Sequence, residues 1–255
     1  MKSKELWATH TQHLNDRQEF LHAIAIAREE INSALIAAGT DDEKKKLISR
    51  MQDAVSNNAV ADINVCVASF SEAPDSLAQW RAYGGNGGFC LGFSSAYLQS
   101  LIERQEGFVL TPCIYDPDQQ RNLMRAQVDS LIDKFTDLDA ANRIPMTYIR
   151  TLAMLLKWAP RMKHPSFVEE LEWRIITPPL PTKDNVDFDF RVGDTMPTPF
   201  YRFALRADGI AFQIEEVMVG PTSHPDRSAE STRSFLLSQG LEPLIINSNV
   251  PYRHW

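Results

Sequence analysis

Cysteine is scarce in this sequence, and common metal-binding signatures are missing from it. Its 255 residues include only three cysteines, Cys66, Cys90 and Cys113. An odd number of cysteines without an export signal favours a reducing compartment, so we expect a cytoplasmic protein with buried, reduced thiols. Neither Cys-x-x-Cys nor His-Glu-x-x-His occurs, and the sequence therefore gives no support for a zinc site.

Long hydrophobic runs and an excess of positive charge are also absent. No apolar stretch approaches the roughly 20 residues that span a bilayer, and the polar segment Met1–Asn15 does not resemble a signal peptide. We therefore expect no membrane partner. The formal net charge of -7 excludes a fold-wide basic surface for nucleic acid and leaves room only for a local basic patch.

Hydrophobic periodicity predicts an α+β protein. The clearest helix spans residues 17–38, where apolar residues from Phe20 to Leu35 recur at spacings of three and four. Further helices are predicted over 41–56, 94–104, 121–138, 146–158 and 228–239, and strands over 63–71, 89–93, 108–115, 173–177, 186–192, 200–205, 210–219 and 244–246. We expect one domain, residues 1–255, with a central mixed or antiparallel sheet, helices on its faces and a helical insertion around 117–160.

The segment 66–93 is the most informative part of the chain. A strand ending in Ser69-Phe70-Ser71 is followed by a short helix, on which Trp80 and Tyr83 are three residues apart, and by a glycine-rich turn. The serines could point into one cleft, and the aromatic rings could stack on a flat ligand ring. Packing of the aromatic helix in the core is the alternative. The glycines suggest close approach of the backbone to another group.

Polar residues ahead of the first helix and at residues 169–174 provide two further candidate sites. Asn15, in Leu14-Asn15-Asp16-x-x-Glu19, is either a helix cap or a pocket residue. Glu172 and Arg174 share one face of a predicted strand, where they form either an ion pair that lines a cleft or an ordinary surface salt bridge.

A last candidate is the half-buried strand in Gln213-Ile214-Glu215-Glu216-Val217-Met218-Val219-Gly220-Pro221. A carboxylate in such a strand is either a structural partner or a site residue.

Together these motifs resemble the bacterial DUF 2971 family of uncharacterised proteins. More distantly, Ser69-Phe70-Ser71 is similar to the Ser-x-Ser strand of some ADP-ribosyltransferases, whose catalytic glutamate lies in a later Gln-x-Glu-Val or Glu-x-Glu strand. Residues Gln213 to Val217 resemble that later strand loosely, with one extra residue between Gln213 and Glu216. This resemblance implies NAD as the substrate, with Glu172 or Glu216 as the catalytic carboxylate. Six residues would bind the nucleotide or shape its pocket: Ser69, Ser71, Trp80, Tyr83, Asn15 and Arg174.

The resemblance also has a gap. Members of both groups usually start with a strand carrying His-Tyr-Thr or an arginine, whereas Met1–Trp7 resembles the segment after that strand, so we expect a shortened start or a lost motif. The acceptor of ADP-ribose, a protein or a nucleic acid, is open, and a toxin or phage-defence effector is one role that fits. The alternatives are a non-catalytic nucleotide- or protein-binding module, and a metal-dependent nuclease or hydrolase using Asp16, Glu19 and Glu172.

Overall fold

A six-stranded antiparallel sheet forms the centre of the fold. The structure is a computed structural model that describes residues 3–14, 18–56, 64–85, 87–136, 140–180, 188–193 and 196–251. The strands are β1 (Glu5–His10), β2 (Cys66–Ser71), β4 (Val109–Pro112), β5 (Glu172–Ile176), β6 (Asp189–Val192) and β7 (Pro197–Ala204). Their order across the sheet is β4-β5-β2-β1-β7-β6.

A second sheet has three strands in the order β3-β8-β9. These are β3 (Phe89–Gly92), β8 (Glu216–Val219) and β9 (Leu244–Asn247). β8 runs antiparallel to β3 and parallel to β9. The parallel pair needs a crossover, which the helix Pro225–Ser238 provides.

The helices are α1 (Gln18–Ala37), α2 (Asp42–Ala54), α3 (Leu77–Gln79), α4 (Ser95–Glu103), α5 (Pro117–Thr136), α6 (Ala140–Trp158) and α7 (Pro225–Ser238). Capping side chains fix two of the helix starts. Asp41 accepts a hydrogen bond from the backbone N–H of Lys44, and Ser94 accepts one from that of Tyr97. The π-helical turn Trp80–Gly84 follows α3 directly.

The central sheet separates two hydrophobic cores, because successive residues of a strand point to opposite faces. Val67 packs with α1, α2, α5 and α6 in a helical core. Cys66 and Ala68 pack on the other face with α4 and with residues of β5 and β7. Ser69 and Ser71 continue the row of Val67 toward the end of the strand, so they lie on the helical side of the sheet.

The predicted fold class is confirmed: the chain is α+β, with an antiparallel central sheet and helices on its faces. α5 and α6 lie in the sequence between β4 and β5, which pair with each other. That a single domain spans residues 1–255 with these helices as an insertion stays a prediction. No helix in the described ranges is long and apolar enough to cross a membrane.

The strand prediction was wrong in two places, one strand that was missed and one that was drawn too long. No strand was predicted before α1, yet β1 lies in the sheet between β2 and β7. Its apolar residues Leu6, Trp7 and Ala8 are consecutive and do not alternate with polar ones, so the sequence carries no strand pattern there. Pairing on both sides makes the segment a strand. The strand predicted over 210–219 is confined to Glu216–Val219, because only these residues pair with β3 and β9.

Candidate functional site

Two adjoining cavities open at the end of β2. Their volumes are about 640 Å³ and 700 Å³, which lie within the range of small-molecule sites. We call them the aromatic cavity and the charged cavity, after their linings. Both are lined by Leu6, Ser69, Phe70, Ser71, Gln79 and Tyr83. The strand end and the turn after α3 therefore form a wall that the two cavities share.

The aromatic cavity lies between the two sheets. Its lining includes the rings of Phe70, Trp80, Tyr83, Phe89, Phe93 and Trp173, together with Cys90 and Glu216. Trp80 is 5% exposed and Tyr83 is 65% exposed. Trp80 is therefore part of the packed wall, whereas Tyr83 stands at the opening. Trp80 is thus packed in the core and also lines the cavity, and that its ring stacks on a ligand stays a prediction.

Hydrogen bonds to Asp75 fix the Trp80 indole. Trp80 Nε1 donates to Asp75 Oδ1 at 2.7 Å, and Ser248 Oγ donates to the same oxygen at 2.5 Å. The backbone N–H of Asn249 donates to Asp75 Oδ2 at 2.8 Å. Desolvation raises the pKa of the Asp75 carboxyl, but the hydrogen bonds from Ser248, Trp80 and Asn249 outweigh it and lower the pKa overall. One carboxylate thus joins the aromatic wall to the segment after β9.

The glycines around residues 84–88 make room for the protein itself. A Cβ at Gly220 would lie 2.8 Å from Trp80 Cζ3 and 2.8 Å from the Gly88 carbonyl oxygen. A Cβ at Gly88 would lie 2.5 Å from the Gly84 carbonyl oxygen. The close approach that the sequence suggested is thus explained by the Trp80 ring and neighbouring backbone, without a ligand.

Glu216 begins β8 and lies opposite Gly92 of β3. It is half-buried, and its carboxylate makes no ion pair or hydrogen bond with the part of the chain that the structure describes. Burial raises the pKa of the Cys90 thiol, and the negative charges of Glu216 and Asp75 add to this effect. Glu216 is thus a carboxylate without a cationic partner among the described residues, in a cavity that is rich in aromatic rings.

The charged cavity lies on the helical side of the central sheet, where β2 and β5 pair. Ser69 lies opposite Arg174, and Ser71 lies opposite Glu172. Directly opposed residues of an antiparallel pair share a face, so these four side chains stand together on one surface. Both Glu172 and Arg174 are buried, and all four residues line the cavity.

A network of ion pairs holds Glu172. Arg174 Nε donates to Glu172 Oε1 at 2.7 Å, and Lys163 Nζ donates to Glu172 Oε2 and to Glu170 Oε2. Arg174 Nη1 also donates to the Pro160 carbonyl at 2.9 Å. Desolvation raises the pKa of Glu172, but Arg174 and Lys163 outweigh it and lower the pKa overall. The predicted pair of Glu172 and Arg174 is present, and it is a buried pair rather than a surface salt bridge.

A left-handed residue separates the two glutamates of this network. Leu171 has φ 44° and ψ 50°, a conformation that is rare for a bulky side chain. Strain of this kind concentrates at functional sites. The backbone N–H of Glu172 donates to the Tyr115 hydroxyl at 2.8 Å, and burial is the main cause that raises the pKa of Tyr115 to about 12.

The two serines of the shared wall differ. Ser71 Oγ donates to the Glu170 carbonyl at 2.7 Å and accepts from the backbone N–H of Ala73 at 3.0 Å. The Ser69 hydroxyl is exposed and makes no hydrogen bond within the described ranges. Ser71 therefore anchors the loop after β2, and Ser69 keeps its hydroxyl available in both cavities.

The structure divides the predicted site residues between the cavities. Trp80 and Glu216 line the aromatic cavity, Glu172 and Arg174 line the charged cavity, and Ser69, Ser71 and Tyr83 line both. Asn15 and Asp16 lie outside the described residues, as does the side chain of Glu19. No three His, Cys, Asp or Glu side chains are grouped to hold a metal ion among the residues that were described.

Several polar residues in or beside the cavities were not predicted from the sequence, among them Lys163, Asp75, Arg191 and Thr9. Lys163 lies in a proline-bounded segment that has no periodic pattern, and Asp75 lies in the loop before α3. Arg191 Nη2 donates to Thr9 Oγ1 at 3.2 Å, and both line the charged cavity. The one usable signal was an unexplained lysine between Pro160 and Pro165, a few residues before Glu170 and Glu172.

Comparison with known proteins agrees with the resemblance to an uncharacterised family. The fold and cavities define an α+β protein with a two-part candidate site at a strand end. A family model described as "Protein of unknown function (DUF2971)" matches residues 79–175, and the predicted resemblance is confirmed over that segment. It includes Trp80, Tyr83, Glu172 and Arg174. No curated protein and no solved structure matches the chain.

Proposed function

We propose that this protein is a cytoplasmic ADP-ribosyltransferase-like enzyme that uses NAD as its substrate. The observation that carries the proposal is the pairing of β2 with β5, which sets Ser71 opposite Glu172 and Ser69 opposite Arg174. The Ser-x-Ser strand and the Glu-x-Glu segment, far apart in the sequence, thus border one cleft.

The two cavities suit the two kinds of chemistry in a dinucleotide. Aromatic side chains favour a flat ring, and the aromatic cavity has several of them. Guanidinium and ammonium groups favour a diphosphate, and the charged cavity is lined by Lys163, Arg174 and Arg191. An elongated ligand that crosses the shared wall would contact Ser69 and Tyr83 between the two.

The proposed reaction breaks the bond between the nicotinamide nitrogen and ribose C1′. The bonding electron pair leaves with nicotinamide, and a nucleophile of the acceptor forms a new bond to C1′ and loses its proton. A carboxylate stabilises the positive charge that develops on the sugar. Glu172 is the first candidate because of its register with Ser71, and Glu216 is the second because its carboxylate is unpaired in the described structure.

The test follows nicotinamide release from NAD in the presence of cell lysate as a source of acceptor. We expect release by the wild type and a loss of about 100-fold or more in Glu172→Gln, the size expected when a charge-stabilising group is removed. Glu216→Gln tests the second candidate. Glu169→Gln and Glu215→Gln are matched controls, because both glutamates are exposed neighbours that line neither cavity.

Equal release by the wild type, Glu172→Gln and Glu216→Gln would contradict the assignment, as would no release by the wild type.

A second function is favoured by one observation: both carboxylate oxygens of Glu172 are already bonded, to Arg174 and to Lys163. A nucleotide-binding module without catalysis would bind NAD and release no nicotinamide. Equilibrium dialysis with NAD separates this outcome from a complete lack of binding. A role as a toxin or phage-defence effector fits the enzymatic proposal.

A further inference from the structure

Lys163 contacts both glutamates of the Glu-x-Glu segment, Glu170 and Glu172. Its side chain is 6% exposed, and its ammonium group pairs with Glu170 and Glu172. The ammonium also lies 5.2 Å from the centre of the Phe167 ring. A lysine that is buried between two carboxylates and lines a cavity has a role beyond that of a solvated surface charge.

We propose that Lys163 is a positioning residue for the reaction proposed above, and that it positions Glu172 by bridging Glu170 and Glu172 in the wall of the charged cavity. This inference rests on the proposed function. Arg174 holds one oxygen of Glu172 and Lys163 holds the other, so the plane of the carboxylate is fixed by two cations from different segments. The left-handed Leu171 places Glu170 on the same ammonium group.

The bridge also controls the ionisation of Glu172. The titratable and charged groups around it are Arg174 on β5, Lys163 and Glu170 on the preceding segment, and Tyr115 after β4. His13 and Arg191 line the same cavity. Burial alone would favour the protonated acid, and the two cations reverse this. Without Lys163, Glu172 would still be buried away from water but would lose one of its two compensating positive charges.

Three variants test the bridge through the pH dependence of nicotinamide release. Lys163→Met keeps the length of the side chain and removes its charge, so the acidic limb of the rate profile moves to higher pH. We expect its activity relative to the wild type to be about tenfold lower at pH 6 than at pH 8. Glu170→Gln removes a negative neighbour, so the acidic limb moves to lower pH. Lys163→Arg keeps the positive charge and should keep most of the wild-type profile. Lys134→Met, at an exposed lysine of α5, should leave the profile unchanged.

A role that is only structural predicts something else. Lys163→Met would then lose activity equally at every pH, in step with its loss of stability, and Glu170→Gln would leave the profile unmoved. Either result overturns the inference. Glu170→Gln keeps the pairs of Glu172 with Lys163 and Arg174, so it serves as the test if Lys163→Met does not fold.

A measurement without substrate separates this inference from the proposed function. Carboxyl ¹³C NMR of glutamate-labelled protein follows the titration of Glu172, whose signal is assigned by its loss in Glu172→Gln. We expect the titration midpoint to move to higher pH in Lys163→Met and to lower pH in Glu170→Gln. If the wild type releases no nicotinamide, the proposed function fails and these shifts still establish the bridge. An unchanged midpoint in both variants overturns the bridge whether or not the protein acts on NAD.

Discussion

The aromatic cavity and the charged cavity share a wall, but different forces set their shapes. Trp80 is held against glycines and by a hydrogen bond to Asp75, so the aromatic wall depends on close packing. Glu172 and Arg174 are held by compensating charges at low exposure. A packed wall tolerates small adjustments of its neighbours. A buried charge that loses its partner is not reached by water, so nothing replaces the lost interaction. The two cavities should therefore respond differently to the loss of a single group.

The largest effect is expected from Arg174→Met. The variant leaves Glu172 Oε1 and the Pro160 carbonyl without a partner in a buried site. Removal of one member of a buried ion pair costs about 3–5 kcal/mol in free energy of unfolding. Urea denaturation measures the change in unfolding free energy. The slope of that free energy against urea concentration should be nearly the same in the wild type and the variant if both unfold in two states.

Arg202→Met is the matched control for Arg174→Met. Arg202 lies on β7 and also pairs with two carboxylates, those of Asp189 and Glu5, but its side chain is 47% exposed. Solvent screens exposed pairs of this kind, so we expect Arg202→Met to lose much less stability than Arg174→Met. If the two variants lose the same stability, the buried network of Glu172 is no more important for stability than an exposed pair. The proposed difference between the two cavities would then be wrong.

An intermediate effect is expected from Asp75→Ala, which tests the aromatic wall. The variant removes three hydrogen bonds, those from Trp80, Ser248 and Asn249. Because Asp75 is only half-buried, water replaces part of the loss, and we expect a cost of about 1–3 kcal/mol at neutral pH. Asp53→Ala, which breaks an exposed pair with Arg50 on α2, is the control and should cost less than about 0.5 kcal/mol.

The pH dependence of this cost has a definite sign. The pKa of Asp75 is lower in the folded protein than its ordinary value of 3.8. Its contribution to stability is therefore complete above that value and disappears as the pH falls through the folded-state pKa. The difference in unfolding free energy between the wild type and Asp75→Ala should shrink in acid. A difference that stays constant down to pH 2 would show that the ionised carboxylate is not what holds Trp80.

The same contrast explains how much of the molecule could be predicted from its sequence. The helix α1 was predicted because its apolar residues repeat with the helical period, and β2 because it is rich in valine and bounded by polar residues. β1 has no such pattern, and it is a strand because it pairs with β2 and β7. Local sequence patterns report burial along one element, and they do not report which elements pair.

The candidate site follows the same rule. Glu172 and Arg174 were predicted to share a face because strand residues alternate. Lys163 could not be assigned to them, because its contact depends on how the irregular segment after α6 returns to β5. Asp75 was missed for a similar reason: its partners Ser248 and Asn249 are more than 170 residues away in the sequence. Contacts of this range are set by the topology of the whole chain.

The smallest effect on stability, and the sharpest test of the shared wall, comes from its two serines. Ser71→Ala removes a hydroxyl that bonds Glu170 and Ala73, and we expect a cost of about 0.5–1.5 kcal/mol. Ser69→Ala removes a hydroxyl without a hydrogen bond inside the described structure, so its stability should stay within about 0.5 kcal/mol of the wild type.

If NAD crosses the shared wall, Ser69→Ala should instead raise KM for NAD by about three- to tenfold, with kcat little changed. Denaturation and steady-state nicotinamide release, measured on both variants, separate an anchoring serine from a ligand-binding one. A higher KM in Ser71→Ala than in Ser69→Ala would reverse the two roles, because the hydroxyl that is already bonded within the protein would then be the one that the ligand needs.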